Sequence, residues 1–291
     1  MVLDRKLSFV AFWFEGLDSE QKVKQSLTTL SRLGYTGVDW KNTCFDADQD
    51  ITFQLKRAKH IADDMGMSTC SAVILGNMMD EKRDDFVSRV CAYVRSCAEA
   101  GIPNVNTAPG GAPDTPESWG KLVDSLDKIT RVCEECGVDL ALESVVGCLV
   151  HDFPTTQKMY SMINHPRLKL TLDPSHYHMY KSDIPAAIRW LGKDRIAHVH
   201  LKDAIGDVAN GTQFPKEWIF PILGEGNIHW MDFFEALDDI GYDNHMAIEF
   251  EAWNYMDQIL GGNVTDAARL SIQSANALIA NYAAKVAQNK K

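Results

Sequence analysis

The segments Leu168-Lys-Leu-Thr-Leu-Asp-Pro-Ser-His176 and Ile196-Ala-His-Val-His-Leu-Lys-Asp203 decide how the rest of the chain is read. Each begins as a short apolar strand and ends in residues able to hold a metal ion. Side chains alternate along a strand, so Leu170 and Leu172 face one way while Thr171 and Asp173 face the other. By the same parity Val199 and Leu201 oppose His198 and His200. The pattern recurs upstream in Val138-Asp-Leu-Ala-Leu-Glu143 and downstream in Met246-Ala-Ile-Glu249. Four strands therefore finish with Glu143, Asp173, His200 and Glu249 on equivalent faces, and a loop is expected to begin at Pro174.

Outward from these segments, strand and helix patterns alternate along the chain. Strands are expected over residues 7–12, 35–40, 68–75, 104–107, 138–143, 168–173, 196–201 and 246–249. A first helix is expected from Asp18, as N-cap, to Leu33, with Val23, Leu27 and Leu30 at helical spacing and Gly34 as its stop. Others are expected over 53–65, 80–100, 116–136 (between Thr115 and Gly137), after Pro154, after Asp183, over 230–240 and over 263–287. The interval from Ala204 to Asn227, with Gly206, Gly211, Pro215, Pro221, Gly224 and Gly226, reads as irregular. Such alternation makes parallel strands joined by crossovers, and eight of them close into a barrel whose active site lies where the strands end. The expected fold is α/β, a (β/α)8 TIM barrel forming a single domain over residues 1–291. A chain of 291 residues suits a barrel, for which about 250 are typical. An open doubly wound sheet is the competitor, but no Gly-x-Gly-x-x-Gly turn follows the first strand.

Composition narrows the partners. With 29 Lys and Arg against 40 Asp and Glu, the formal charge is −11, which argues against a nucleic-acid backbone as ligand. No apolar run approaches the roughly 20 residues of a membrane-spanning helix. Asp4 and Ser8 interrupt what a signal peptide would need, so a cytoplasmic location is expected. Seven cysteines without framework spacing fit a reducing compartment. Cys133-Glu-Glu-Cys136 falls on an expected helix with no second pair, so it reads as one helical face. Assembly into a homo-oligomer is left open.

At the carboxyl ends of strands five to eight, two glutamates, an aspartate and a histidine would repel one another unless a cation neutralised them. A lone glutamate at a strand end is usually solvated; four residues on the right parity carry the argument. One divalent ion is expected, Mn²⁺ first, with Mg²⁺, Co²⁺ or Zn²⁺ also suited to such a donor set. His198 lies one layer deeper and reads as packing or outer support. Glu251 shares the parity of Glu249 beyond the strand and reads as solvated or supporting. Phe12, Trp13 and Phe14 after strand one, and Trp253 and Tyr255 after strand eight, are placed to meet a ligand's apolar face or to pack the rim.

Taken together, Glu143, Asp173-Pro-Ser-His176, His198-Val-His200-Leu-Lys-Asp203, Glu249-Phe-Glu251 and Leu223-Gly-Glu-Gly-Asn227 resemble the xylose-isomerase-like superfamily of sugar isomerases and epimerases. The nearest likeness is to its ketose 3-epimerase and inosose-type branch. The resemblance implies a metal held by Glu143, Asp173, His200 and Glu249, with His176 and Lys202 at the oxygens of a small-molecule sugar and Trp13, Phe14 and Trp253 along it. It implies that Glu143 and Glu249 act as base and acid through a cis-enediolate. The ketose 3-epimerases it resembles carry an arginine after the seventh strand. None occurs here between Arg195 and Arg269, which leaves Lys202 and Lys216. A lyase on the same scaffold would use the same enolate chemistry to expel a β-substituent. Apurinic-site endonucleases resemble the superfamily too but need further histidines on strands two and three and an Asp-x-His pair before the last strand; no histidine occurs between His60 and His151, and no Asp-x-His pair is expected between His200 and Glu249. A sugar-binding barrel without catalysis would not need both opposed glutamates. Gly110-Gly111 and Gly224-Glu-Gly226 offer backbone amides, but Glu225 would repel a phosphate, so an unphosphorylated sugar or inositol-like ketone is expected.

Overall fold

The computed structural model describes residues 5–208 and 218–289; Asp4, Gly211, Pro215 and Lys216 lie outside them. Among the described residues eight parallel strands close into a barrel. They are β1 (Leu7–Val10), β2 (Gly37–Lys41), β3 (Ser68–Val73), β4 (Asn104–Thr107), β5 (Asp139–Glu143), β6 (Leu168–Leu172), β7 (Ile196–Leu201) and, after a separate antiparallel pair of β8 (Ile205–Gly206) and β9 (Trp218–Ile219), β10 (Met246–Ile248). β10 pairs with both β7 and β1, which closes the ring. Helices α1 (Glu20–Leu33), α2 (Ile51–Asp64), α3 (Arg83–Ala100), α4 (Pro116–Cys136), α5 (Phe153–Met162), α6 (Pro174–Met179), α7 (Ile184–Leu191), α8 (Trp230–Asp239), α9 (Trp253–Gln258) and α10 (Val264–Gln288) fill the crossovers and the end of the chain.

Two faces of each strand do different work. The apolar parity is buried under the helices: Phe9, Val38, Trp40, Leu140, Leu142, Leu170, Leu172, Val199 and Ile248 join one core. The inward parity is polar at mid-height, where Ser8, Asp39, Ser71, Asn106, Thr171 and His198 are all buried. Asn106 Nδ2 donates to Thr171 Oγ1 at 2.8 Å across the small Ala141 of the strand between them. Barrel interiors are usually filled by Val, Ile and Leu. This one is polar below the rim.

Several boundaries differ from expectation for local reasons. Ser19, not Asp18, caps α1 by accepting from Lys22 N, while Asp18 pairs with Lys22 Nζ at 2.7 Å. β1 stops at Val10 because Phe12 N turns back to Val10 O. No loop begins at Pro174: it is the first residue of α6, a position where its missing N–H costs nothing. Helix α9 and the β8–β9 pair were not expected.

Asp203 organises the long interval after β7. Its carboxylate accepts from Ala204 N, Gly224 N, Ile228 N and Trp230 Nε1 at 2.8–3.2 Å, and a Cβ at Gly226 would run into it. Asp203→Ala leaves several buried donors unpaired and is expected to lower stability by roughly 3 kcal/mol or more. A thermal melt beside the exposed Asp48→Ala checks this; equal melting temperatures would refute it.

Candidate metal centre and substrate site

Each member of the quartet owes its position to a strand end. Glu143 is the last residue of β5 and His200 lies near the end of β7, while Asp173 and Glu249 directly follow β6 and β10. Asp173 caps α6: its Oδ1 takes hydrogen bonds from Ser175 N and Oγ at 2.8 and 2.7 Å, leaving Oδ2 for the centre. One ligand-capable atom from each of the four lies within 4.8 Å of the others. His200 Nδ1 is 3.3 Å from Glu143 Oε1 and 3.5 Å from Glu249 Oε2. Neither ring nitrogen of His200 has a hydrogen-bond partner among the described residues. Three carboxylates around a buried imidazole with unfilled nitrogens fit a divalent ion.

The charges in this pocket are compensated from within. Lys202 Nζ lies 2.9 Å from Asp173 Oδ2, 2.6 Å from Glu249 Oε2 and 2.8 Å from Glu251 Oε2. Burial works against charge on Asp173 and Glu249, but Lys202 together with His176 and His200 around Asp173, and with His200 beside Glu249, outweighs it and holds both below the usual carboxylate range. Burial likewise opposes charge on Lys202 and His200, yet the surrounding carboxylates raise both well above their ordinary values. Burial, then Lys202, lowers His176. Burial also pushes Glu251 up to about 7 against the pull of Lys202. His176 accepts from Val146 N through Nδ1 and sets Nε2 3.6 Å from Asp173 and 3.7 Å from Glu143.

Of the expected rim aromatics, Trp13 and Trp253 meet with ring centroids 4.7 Å apart, and Trp13 Nε1 donates to Phe250 O at 2.7 Å. Phe14 is half-buried and packs edge-on against Phe9. Of its two expected roles Glu251 takes the supporting one: it braces Lys202. Phe220 had drawn no attention in the irregular interval, yet it lies 4.7 Å above Lys202 Nζ and edge-on to His176 at 5.6 Å. Asp39 was missed as well, although a charged residue between Val38 and Trp40 shares the parity of the interior. Contrary to expectation an Asp-x-His pair does occur between His200 and Glu249, as Asp243-Asn244-His245, but it stands before β10 at the opposite mouth of the barrel. There Asp243 pairs with Lys193 at 2.7 Å and His245 Nε2 lies 3.1 Å from Thr36 Oγ1. Cys133 is buried and Cys136 half-buried on α4, and neither is in a disulfide.

Comparison with known proteins adds a decisive match. Residues 27–276 fit the profile of the xylose isomerase-like TIM barrel. The chain belongs to that family. Within reach of the family's curated members, it is 24% identical over 255 residues to an inosose dehydratase of Clostridium beijerinckii, spanning 81% of this chain and 84% of that one. It is also 28% identical over 139 residues to a D-psicose 3-epimerase of Ruminiclostridium cellulolyticum, spanning 47% and 42%. Among solved structures, an L-ribulose 3-epimerase superposes with a TM-score of 0.76 at 19% identity over 99% of both chains. A protein called IOLI, solved with a zinc atom, superposes with a TM-score of 0.73 at 18% identity, covering 95% and 99%. At these identities the structural likeness establishes the family's barrel. Among the described residues no helix is long and apolar enough to cross a membrane.

Proposed function

We propose that the chain is a divalent-metal-dependent isomerase or epimerase that moves a proton beside the carbonyl of a ketose or keto-polyol. The observation that carries this reading is the placement of Glu143 and Glu249 at 3.3 and 3.5 Å from the same nitrogen of His200. Glu143, Asp173, His200 and Glu249 would hold the ion, with Mn²⁺ the first choice. When bound, it would draw electrons from the carbonyl oxygen. One glutamate removes the proton from the adjacent carbon, giving a cis-enediolate, and the other returns a proton from the opposite side. Return to the same carbon epimerises; return to its neighbour isomerises. Lys202 and His176 meet the substrate's oxygens, Phe220 screens them from water, and Trp13 and Trp253, backed by Phe14, receive its C–H face.

An unphosphorylated substrate is favoured because the amides of Gly224 and Ile228 already donate to Asp203. A second reading, a lyase that expels a β-hydroxyl from the same enediolate, is supported by the alignment with inosose dehydratases over 81% of the chain. The discriminating experiment is a proton NMR screen of ketoses, keto-inositols and their phosphates in D₂O with Mn²⁺-supplemented protein. Turnover of phosphates alone would overturn the substrate class, and loss of water would select the lyase.

Nucleic acid has no part in this reading, and a cytoplasmic setting fits seven cysteines that form no disulfide. Duplex DNA with an abasic site should be neither cut nor tightly bound at physiological salt, given the −11 charge. Metal-dependent incision lost in Glu249→Gln would overturn the isomerase reading.

A further inference from the structure

Beneath the carboxylate quartet lies a second constellation that the proposed reaction does not use. Asp39 of β2 and His198 of β7 are buried in the polar middle layer, and Asp39 Oδ2 is in contact with His198 Nε2. Ligand-capable atoms of Asp39, His198 and His200 lie within 4.8 Å of one another. Asp39 Oδ1 and both ring nitrogens of His200 have no hydrogen-bond partner among the described residues. Buried polar atoms are rarely left so, because each unfilled group costs its full desolvation.

Local backbone geometry singles out the same residues. Pairing of β2 with β3 shifts register between Val38 and Asp39, and pairing of β6 with β7 shifts where Thr171 comes to oppose His198. Such irregularities re-aim side chains and recur beside functional sites.

We infer that Asp39 is the positioning residue for His200: its carboxylate, braced by His198, holds the Nε2 proton through one bridging water and leaves Nδ1 bare for a metal ion. Nδ1 faces Glu143 and Glu249, so Nε2 is the nitrogen left for Asp39. An imidazole ligates only through an unprotonated nitrogen, and an outer carboxylate on the other nitrogen fixes both tautomer and ring orientation. His198 on Oδ2 keeps that carboxylate from turning away. The inference rests on the metal-site reading above.

The test compares wild type with Asp39→Asn, which keeps size and an acceptor but removes the charge. Competition between protein and a chelator for Co²⁺ should show affinity 10- to 100-fold weaker in the variant, as is typical of lost outer-shell partners. The Co²⁺ absorption bands should shift while the far-UV circular dichroism stays unchanged. Wild-type protein that binds Co²⁺ beside a variant with equal affinity and the same bands would overturn the role of Asp39 alone. Wild-type protein that binds no Co²⁺ would overturn the metal site and this inference together. A measurement on wild type guards against a variant that fails to fold. In the Zn²⁺-loaded, histidine-¹⁵N-labelled protein the His200 ring should carry its proton on Nε2, and a proton on Nδ1 would overturn the assignment.

Discussion

Glu143→Gln and Glu249→Gln are each expected to lower turnover by roughly 10² to 10⁴, the usual contribution of a general acid or base. Glutamine keeps the size and one acceptor oxygen of glutamate, so each variant should retain part of its metal while losing the basicity that moves the proton. In D₂O the wild-type product should carry deuterium at the carbon beside the carbonyl, and exchange should continue after net conversion stops. An epimerase with one glutamate per face should lose exchange from opposite epimers in the two variants. Product formed without solvent deuterium would point to a hydride shift and refute these roles. The geometry makes both residues candidates on equal terms, since each sits beside the same His200 nitrogen at 3.3 and 3.5 Å.

The second large effect concerns the ion itself. Purified protein should hold close to one divalent ion per chain, and Asp173→Asn or His200→Ala should lose most of it. A ligand present at a hundredfold its dissociation constant stabilises the folded state by about 2.7 kcal/mol. In a domain of this size that is a rise in melting temperature of about 4 to 5 °C. Adding Mn²⁺ after chelation should restore that rise in wild type and produce almost none in His200→Ala. Asp173 has a further reason to matter, because its Oδ2 charge lies 2.9 Å from the buried Lys202 ammonium, which asparagine would leave short of a counter-charge. Asp173→Asn is therefore expected to melt lower than wild type even without metal. Full metal retention in both variants would refute the site.

How much of this was legible in the sequence follows from what alternation encodes. Period-two patterning reports which side of a strand a residue occupies, so the strands of Glu143, Asp173, His200 and Glu249 could be placed on one rim without any coordinates. The helices around them announced themselves through caps and spacing, as at Thr115 and Gly137 for α4. Ends were less secure because adjacent residues compete for one cap, as Asp18 and Ser19 do. Pro174 was misread because proline both breaks helices and starts them, and only the Asp173 cap decides between the two. Phe220 was missed, and the choice between the two roles open to Glu251 could not be made, because both depend on tertiary contacts with Lys202, which no local period encodes. Asp39 did carry a signal, but its partners His198 and His200 lie far along the chain, and only closure of the barrel brings them together.

Lys202 has a consequence for the order of events in the life of the chain. Its ammonium bonds Glu249 and Glu251 at 2.6 and 2.8 Å and lies 2.9 Å from Asp173, so the acidic pocket already holds a tethered counter-ion when the barrel closes. A site built of bare carboxylates would ask for metal during folding, as zinc fingers do. Here the Lys202 ammonium supplies part of that charge, so on the proposed reading the chain is expected to fold before any ion arrives. Synthesis and metal acquisition would then be separate steps, and metal supply would set what fraction of the folded chains is active.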